Sequence, residues 1–340
     1  MARGMEGPEW DGTGWIITGP AAARLNERGR LGERLGNQCV RLSDTELFHA
    51  IRHRGVHSPQ SEWMNEALMR DSQFLHLAEV LSALRAPGEL YLPLYRTRFQ
   101  DTDCWAMRWN AGDDPKADEP ASEVRWSKAD EEVNWFELGA WTMRALETKR
   151  SVEQVVIDDE GDITRFVIEP IEPNGNHGPP SDAWSGPHLW LNQFIASGEG
   201  YFLPASVTWP FTSIGRPCEG GWWLDALEHA WVTTSGELEE QRESILGLFT
   251  HLVDRGLQLR PGFKYGTRWR AYEDDIDDHH APYLITPIEE APRDWNGACR
   301  ASRLASGVKK QWCFAFWHQG EWSLIKVRRR RPGASHASSI

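Results

Sequence analysis

The sequence predicts an α/β protein in which one mixed unit is built twice in tandem. Helical apolar spacings alternate with short β-rich runs, three sequence blocks recur in the same order, and a Pro- and Gly-rich stretch separates the halves. The blocks are YRTRF from Tyr95 against YGTRW from Tyr265, WTMRALE around Arg144 against ASRLASG around Arg303, and DITRFVIEP from Asp162 against EWSLIKVRR from Glu321. The first recurs at a spacing of 170 and the other two at 159. That difference places extra residues in the first half, where the polar, acidic NAGDDPKADEPAS (110–122) sits. The expected organisation is a first unit at 1–170, a linker at 171–187, a second unit at 188–332 and a disordered tail at 333–340. Each unit is expected to hold a small mixed α/β N-terminal subdomain and a C-terminal mixed-sheet subdomain.

Local signals support the individual elements in turn. In LSDTELFHAIRHRG, Ser43 is a helix N-cap and Glu46, three residues on, completes a capping box. In ILGLFTHLVDRG, Leu246, Phe249, Leu252 and Val253 fall on one helical face, and Gly256 marks the stop. PYLITPI and QWCFAFW are β-rich runs, and SRLASGVKK between them is a helix leading into the second. EWSLIKVR is the hairpin partner of that strand, turned at HQG.

A chain of 340 residues with 40% apolar residues and 19 Trp can fill two cores. MARGMEGPEWDG holds no signal-peptide run, and no stretch reaches the roughly 20 apolar residues of a membrane span. A soluble, cytoplasmic protein without a membrane partner is expected. The five cysteines (39, 104, 218, 299 and 313) are scattered without a CxxC pair, which argues against a disulfide framework or structural zinc. The net charge of −13 argues against a nucleic-acid partner only on average, because residues 261–340 hold 13 Lys or Arg against 9 Asp or Glu.

The stretch YGTRWRAYEDDIDDHHAPYLI (265–285) poses a choice of chemistry. Carboxylates beside imidazoles can ligate a divalent ion, while a tyrosine beside a histidine can carry acid–base work without a metal. A short acidic loop between strands is more often simply solvated.

The sequence here resembles the tRNA-splicing endonucleases, in the archaeal form with two endonuclease repeats fused in one chain. HLVDRGLQLRPGFKYGTRWRAY is similar to the family's helix, turn and strand ending in a catalytic tyrosine. HAPYLI is similar to its histidine-bearing strand, and RASRLASGVKKQWCFAF to its helix running into a catalytic lysine. The resemblance covers about 245–328 well and the first half weakly. It implies Tyr272 as the base for the 2′-hydroxyl, His280 as the acid for the leaving 5′-oxygen, and Lys310 as the cation facing the transition state. The family's pattern of His, small residue, any residue and aromatic selects His280 over His279, and the alignment selects Lys310 over Lys309. Products would carry 2′,3′-cyclic phosphate and 5′-hydroxyl ends, with no metal and no cofactor. An unperturbed phenol, with a pKa of about 10, is a poor base at neutral pH and would need a neighbouring cation.

By the same resemblance, Arg303 and Arg328 would clamp bulged bases, and precursor tRNA rather than DNA would be the partner. Counted at the 170 and 159 spacings, Tyr272 falls on Thr102 and Lys310 on Ser151, so the first repeat would be structural. With one catalytic set per chain, two cuts call for a homodimer. The loop from Gly112 to Pro120 would dock into a basic pocket of the partner. Trp269 and Trp312 are more plausible as core than as RNA contacts. The competing expectations are a non-catalytic RNA-binding or assembly subunit of the same fold, and a metal-dependent nuclease using EDDIDDHH.

Overall fold

A computed structural model describes residues 7–85, 88–100, 102–180, 183, 190–234, 241–277 and 279–330. The expected tail at 333–340 and much of the linker's second half lie outside the described residues. The chain forms two compact units that interleave along the sequence: residues 132–144 and 168–329 form unit 2, and the remainder forms unit 1.

Unit 1 opens with an antiparallel sheet of β1 (Glu9–Trp10), β2 (Trp15–Thr18), β3 (Glu33–Gly36) and β4 (Cys39–Leu42), in the order β1-β2-β4-β3. Between β2 and β3, α1 (Pro20–Ala23) runs into a π-helical turn, Arg24–Arg28. Three helices follow: α2 (Asp44–Arg54), α3 (Trp63–Arg70) and α4 (Phe74–Arg85). Trp15, Leu42, Leu47, Trp63 and Phe74 are buried together between sheet and helices. The capping box at α2 forms as the sequence predicts, with Ser43 Oγ accepting from the Glu46 amide and the Glu46 carboxylate accepting from the Ser43 amide. The second sheet of unit 1 runs β5 (Leu90–Pro93), β6 (Ala106–Trp109), β7 (Ser122–Lys128), β8 (Ser151–Ile157) and β9 (Ile163–Pro170). Its first two pairings are antiparallel and β7–β8 is parallel, which requires the crossover that α5 (Trp135–Glu147) occupies in the chain.

Unit 2 repeats this plan. A small sheet of β10 (Ile195–Ser197), β11 (Gly200–Pro204), β12 (Arg216–Cys218) and β13 (Gly221–Asp225) has the order β10-β11-β13-β12. It is followed by α6 (Ala226–Thr233), also started by a capping box, from Asp225 and Glu228. Then come α7 (Ile245–Asp254), β14 (Gln258–Pro261), β15 (Trp269–Tyr272), β16 (Tyr283–Pro287), α8 (Trp295–Gly307), β17 (Gln311–His318) and β18 (Glu321–Arg330). Pairings β14–β15 and β15–β16 are antiparallel, β16–β17 is parallel and β17–β18 is an antiparallel hairpin. The four predicted residues of the α7 stripe are all buried. Burial of each such side chain is worth about 1.5–3 kcal/mol.

The run WCFAF in β17 is buried at every residue, as expected of a strand covered on both faces. Within unit 2, the start of α5 supplies part of that cover: the Trp135 ring stacks on Phe314 at 4.1 Å, and its indole N–H donates to Pro292 O. Gly139 meets the Phe316 ring so closely that an added Cβ would lie 2.5 Å from it. Trp269 and Trp312 are core residues, 5% and 3% exposed. All five cysteines are free thiols. Among the described residues, no helix is long and apolar enough to cross a membrane.

The strand registers correct the counting between halves. Leu90 pairs with Trp109 as Gln258 pairs with Tyr272, Arg108 with Ser122 as Ala271 with Tyr283, and Ser122 with Ser151 as Tyr283 with Gln311. Tyr272 therefore corresponds to Trp109, not Thr102, and Lys310 to Arg150, not Ser151. The constant spacings fail because the connection 94–105 is longer than its counterpart 262–268. The acidic loop 110–121 is the counterpart of loop 273–282 and only two residues longer.

Candidate active site

Three strand ends build the site in unit 2. Because β15 is antiparallel to β16, and β16 is parallel to β17, the last residue of β15 lies at the same end of the sheet as the first residues of β16 and β17. Tyr272 ends β15, His280 stands three residues before β16 begins at Tyr283, and Lys310 immediately precedes β17. Tyr272 is 6% exposed, His280 is exposed and Lys310 is half-buried. The topology thus brings the three predicted residues to one corner. Their side chains make no hydrogen bond to one another.

Lys310 is held by the backbone at both ends. Its amide donates to Ala305 O at the end of α8, and the preceding Lys309 takes the left-handed conformation with φ 55°. Its ammonium donates to Ala281 O, beside His280, and lies 5.8 Å from the centre of the Tyr265 ring. Burial lowers the Lys310 pKa from its ordinary value; Tyr265 opposes this, while Arg270 and Lys264 add to it. Arg270 also lies over the Tyr272 ring, 5.9 Å from its centre.

The loop between Tyr272 and His280 is tied down. Glu273 accepts from the Tyr283 hydroxyl, Asp274 Oδ1 accepts from Asn176 Nδ2 at 2.9 Å, and Asp275 O accepts from the His279 amide at 3.0 Å. The described part of the linker also anchors to this region: Asn176 N–H donates to Glu273 O at 2.9 Å and His177 N–H to Gly256 O at 2.8 Å. At Gly175 an added Cβ would lie 2.4 Å from Gly256 O, so only glycine fits this approach. Asp278 lies outside the described residues. Among the described residues, no group of three or more His, Cys, Asp or Glu is placed to hold a metal ion.

Arg303 is exposed on α8. Arg328 is half-exposed and paired with Glu169 at 3.5 Å, with Lys326 at 3.2 Å from the same carboxylate. Burial alone would raise the Glu169 carboxyl, but Arg328 and Lys326 hold it below its ordinary value. Sequence reasoning missed the turn Phe263–Tyr265. Phe263 there is 92% exposed, and Tyr265 is flanked by the ammonium groups of Lys264 and Lys310. The signal was present in GFKYG, but Tyr265 served only as a landmark of the repeat.

A phenol, an imidazole and an ammonium at one sheet end can move two protons and neutralise a developing anion. Such a corner on a mixed α/β sheet is equipped for acid–base chemistry. Residues 243–323 match the family described as tRNA intron endonuclease, catalytic C-terminal domain. The chain is 30% identical over 115 residues to a tRNA-splicing endonuclease of Methanopyrus kandleri, covering 27% of this chain and 64% of the relative. It is 34% identical over 84 residues to one of Thermoplasma volcanium, covering 25% of this chain and 28% of the relative. A tRNA-splicing endonuclease of Picrophilus torridus is 30% identical over 82 residues, covering 24% of this chain and 28% of the relative. The chain therefore spans less than two thirds of each of these relatives. Within its second half, residues 243–323 are thus similar to the catalytic C-terminal domain of that family.

Proposed function

We propose that the protein cuts precursor tRNA at bulge-helix-bulge intron boundaries by metal-independent attack of the neighbouring 2′-hydroxyl. The observation that carries this reading is the convergence of Tyr272, His280 and Lys310 on one end of β15, β16 and β17, inside the segment that matches the family. The 2′-oxygen attacks phosphorus as Tyr272, in its deprotonated form, takes the 2′-proton. His280 donates its proton to the departing 5′-oxygen, and Lys310 faces the charge that builds on the phosphoryl oxygens. A cyclic phosphate and a 5′-hydroxyl result. The nucleophile belongs to the substrate, so the protein need only position it, transfer protons and neutralise charge.

Arg303 and Phe263, both exposed in the same unit, are suited to hold unstacked bulge bases by guanidinium and ring stacking. Arg328, about half exposed, would contact RNA in competition with its pairing to Glu169. A homodimer supplies the two sites needed for two cuts, with unit 1 as the structural repeat. The recurring order of strands and helices in the two units supports an internal duplication. In the loop expected to dock into a partner, Asp114 pairs with Arg30 at 3.5 Å and Asp118 Oδ2 accepts from the Asp114 amide, so the loop holds a defined shape for that contact.

The test is to incubate the purified chain with bulge-helix-bulge precursor RNA in EDTA, beside His280→Ala, and to analyse the product ends. Cutting by the wild type alone, with cyclic phosphate ends, supports the reading. Cutting only when magnesium is restored would overturn it in favour of a metal-dependent nuclease, and RNA binding without any cutting would leave a binding subunit.

A further inference from the structure

A cavity of unit 1, about 1090 Å³, has a basic lining although the protein as a whole is acidic. Its walls carry Arg24, Arg28, Arg54, His53 and His57 and, among the described residues, no Asp or Glu. The three arginines are exposed, and among the described residues none of them forms an ion pair. Although Glu27 shares the turn of Arg24 and Arg28, it is not among the lining residues, and the three arginines around one concavity form a local positive field.

The backbone beneath them is fixed in advance. Arg24 and Arg28 open and close the π-helical turn, and the Gly29 amide donates to Arg24 O at 3.1 Å. A Cβ at Gly29 would lie 2.6 Å from Leu25 O, so the tight exit from this turn requires glycine. Asn26 of the same turn donates to Leu31 O at 3.3 Å and Gly32 O at 3.0 Å. The buried guanidinium of Arg85 donates to Gly29 O from below and to Tyr91 O at 3.0 Å. Arg54 and His53 come from the last turn of α2, where Gly55 takes the left-handed conformation that ends the helix. The C-terminal end of a helix dipole repels anions, so any anion held here owes its binding to the arginines. Guanidinium groups suit phosphate because each offers a planar fork of donors.

We propose that this cleft is a second RNA-binding site, holding phosphodiester groups of the substrate other than the scissile one. This rests on the nuclease reading above. The cleft reads backbone charge: its lining has arginine forks and few aromatic surfaces on which a base could stack.

The experiment titrates bulge-helix-bulge RNA into full-length His280→Ala, which binds without cutting, across a range of salt. The same titration is run with Arg24→Gln, Arg28→Gln and Arg54→Gln added together. Three lost phosphate contacts should reduce the slope of log affinity against log salt by about 2 to 3 and weaken binding at least tenfold at low salt. The three side chains are exposed, so the melting temperature should be unchanged, which separates lost contacts from lost fold. An unchanged slope in the triple variant, with tight binding by the parent, would overturn the cleft while leaving the nuclease reading intact. Absence of RNA binding by the parent would remove both. A third arm adds ATP to both proteins: nucleotide binding that depends on the arginines, with RNA affinity unaffected, would reassign the cleft to a free nucleotide and overturn the proposal.

Discussion

The corner at Lys310 in unit 2 and its counterpart at Arg150 in unit 1 share a backbone but not a chemistry. Lys309 and Lys149, the residues just before, both take the left-handed conformation, at φ 55° and 58°. Lys310 N–H donates to Ala305 O at 3.0 Å, and Arg150 N–H to Ala145 O at 2.9 Å. Gln311 and Ser151 likewise donate to Pro282 O and Ala121 O. At the side chains the likeness ends. Arg150 is tied to Glu119 and Glu123, each at 3.2 Å, and its guanidinium lies 4.6 Å over the Phe99 ring. Glu119 stands three residues before β7, where His280 stands before β16, and Trp109 replaces Tyr272. The fold places a cation at this corner in both units; in unit 1 it is paired with carboxylates, and in unit 2 its ammonium bonds, among the described residues, only to a backbone carbonyl.

The interiors differ in the same sense. Strand register sets Glu153 of β8 opposite Val124, and Cys313 of β17 opposite Ile285. Glu153 is fully buried and bonded to Arg108 at 2.5 Å, Arg330 at 2.7 Å and Arg165 at 3.3 Å within unit 1. Burial alone would raise its carboxyl, but the three arginines hold it down at about 2. In unit 2 the position is an apolar thiol, pushed up to about 12 by burial.

These contrasts can be broken, beginning with the largest effects. Replacing His280 with Ala should cut the single-turnover cleavage rate about 10²- to 10⁴-fold without loss of stability, since the side chain is exposed. Replacing Glu153 with Gln leaves buried arginines short of their counter-charge and should cost about 3–5 kcal/mol in urea unfolding, with cleavage unimpaired in the protein that remains folded. The Glu153 carboxyl titrates in the folded chain at about 2, below its ordinary 4.5, so its contribution is complete above 4.5 and fades as pH falls towards 2. The variant should lack that acid-side loss; an unaltered pH dependence would contradict the assignment.

At the two corners, Lys310→Ala should lower the cleavage rate about 10²-fold with little change in RNA affinity, whereas Arg150→Ala should leave the rate near wild type. Equal losses in both would mean that unit 1 takes part in the chemistry. Because the Lys310 pKa is lowered, a rate that needs its ammonium should fall on the alkaline side before an ordinary lysine would lose its proton. Lys310→Arg should move that limb upward in a pH–rate profile. The smallest effect is expected at the turn before β15: Phe263→Ala should weaken RNA binding by about 1 kcal/mol if a bulge base stacks there. An identical dissociation constant would exclude the contact.

Features carried by neighbouring residues were legible in the sequence. The Ser43–Glu46 box, the buried stripe of α7, the β17–β18 hairpin and the adjacency of Lys310 to a β-strand all follow from caps, periodicity or turns within a few residues. Tyr272, His280 and Lys310 were pointed to by the family resemblance of the segments that hold them, and each stands at or near the end of a strand. What joins them depends on β16 running parallel to β17 through α8, a pairing between residues far apart in the chain.

The residues alone determined the mixed α/β class and several elements, chiefly α2 and the run from α7 to β18, and the family resemblance in that run pointed to Tyr272, His280 and Lys310. Only the tertiary structure decided which residue of one half answers to which in the other, that loop 110–121 matches loop 273–282, that Arg328 is held by Glu169 and that the turn at Arg24 and the end of α2 line one cavity. The physical reason is range. Capping and amphipathic spacing act over one or two turns of chain, whereas strand register, ion pairing and cavity walls are set by packing between segments tens of residues apart.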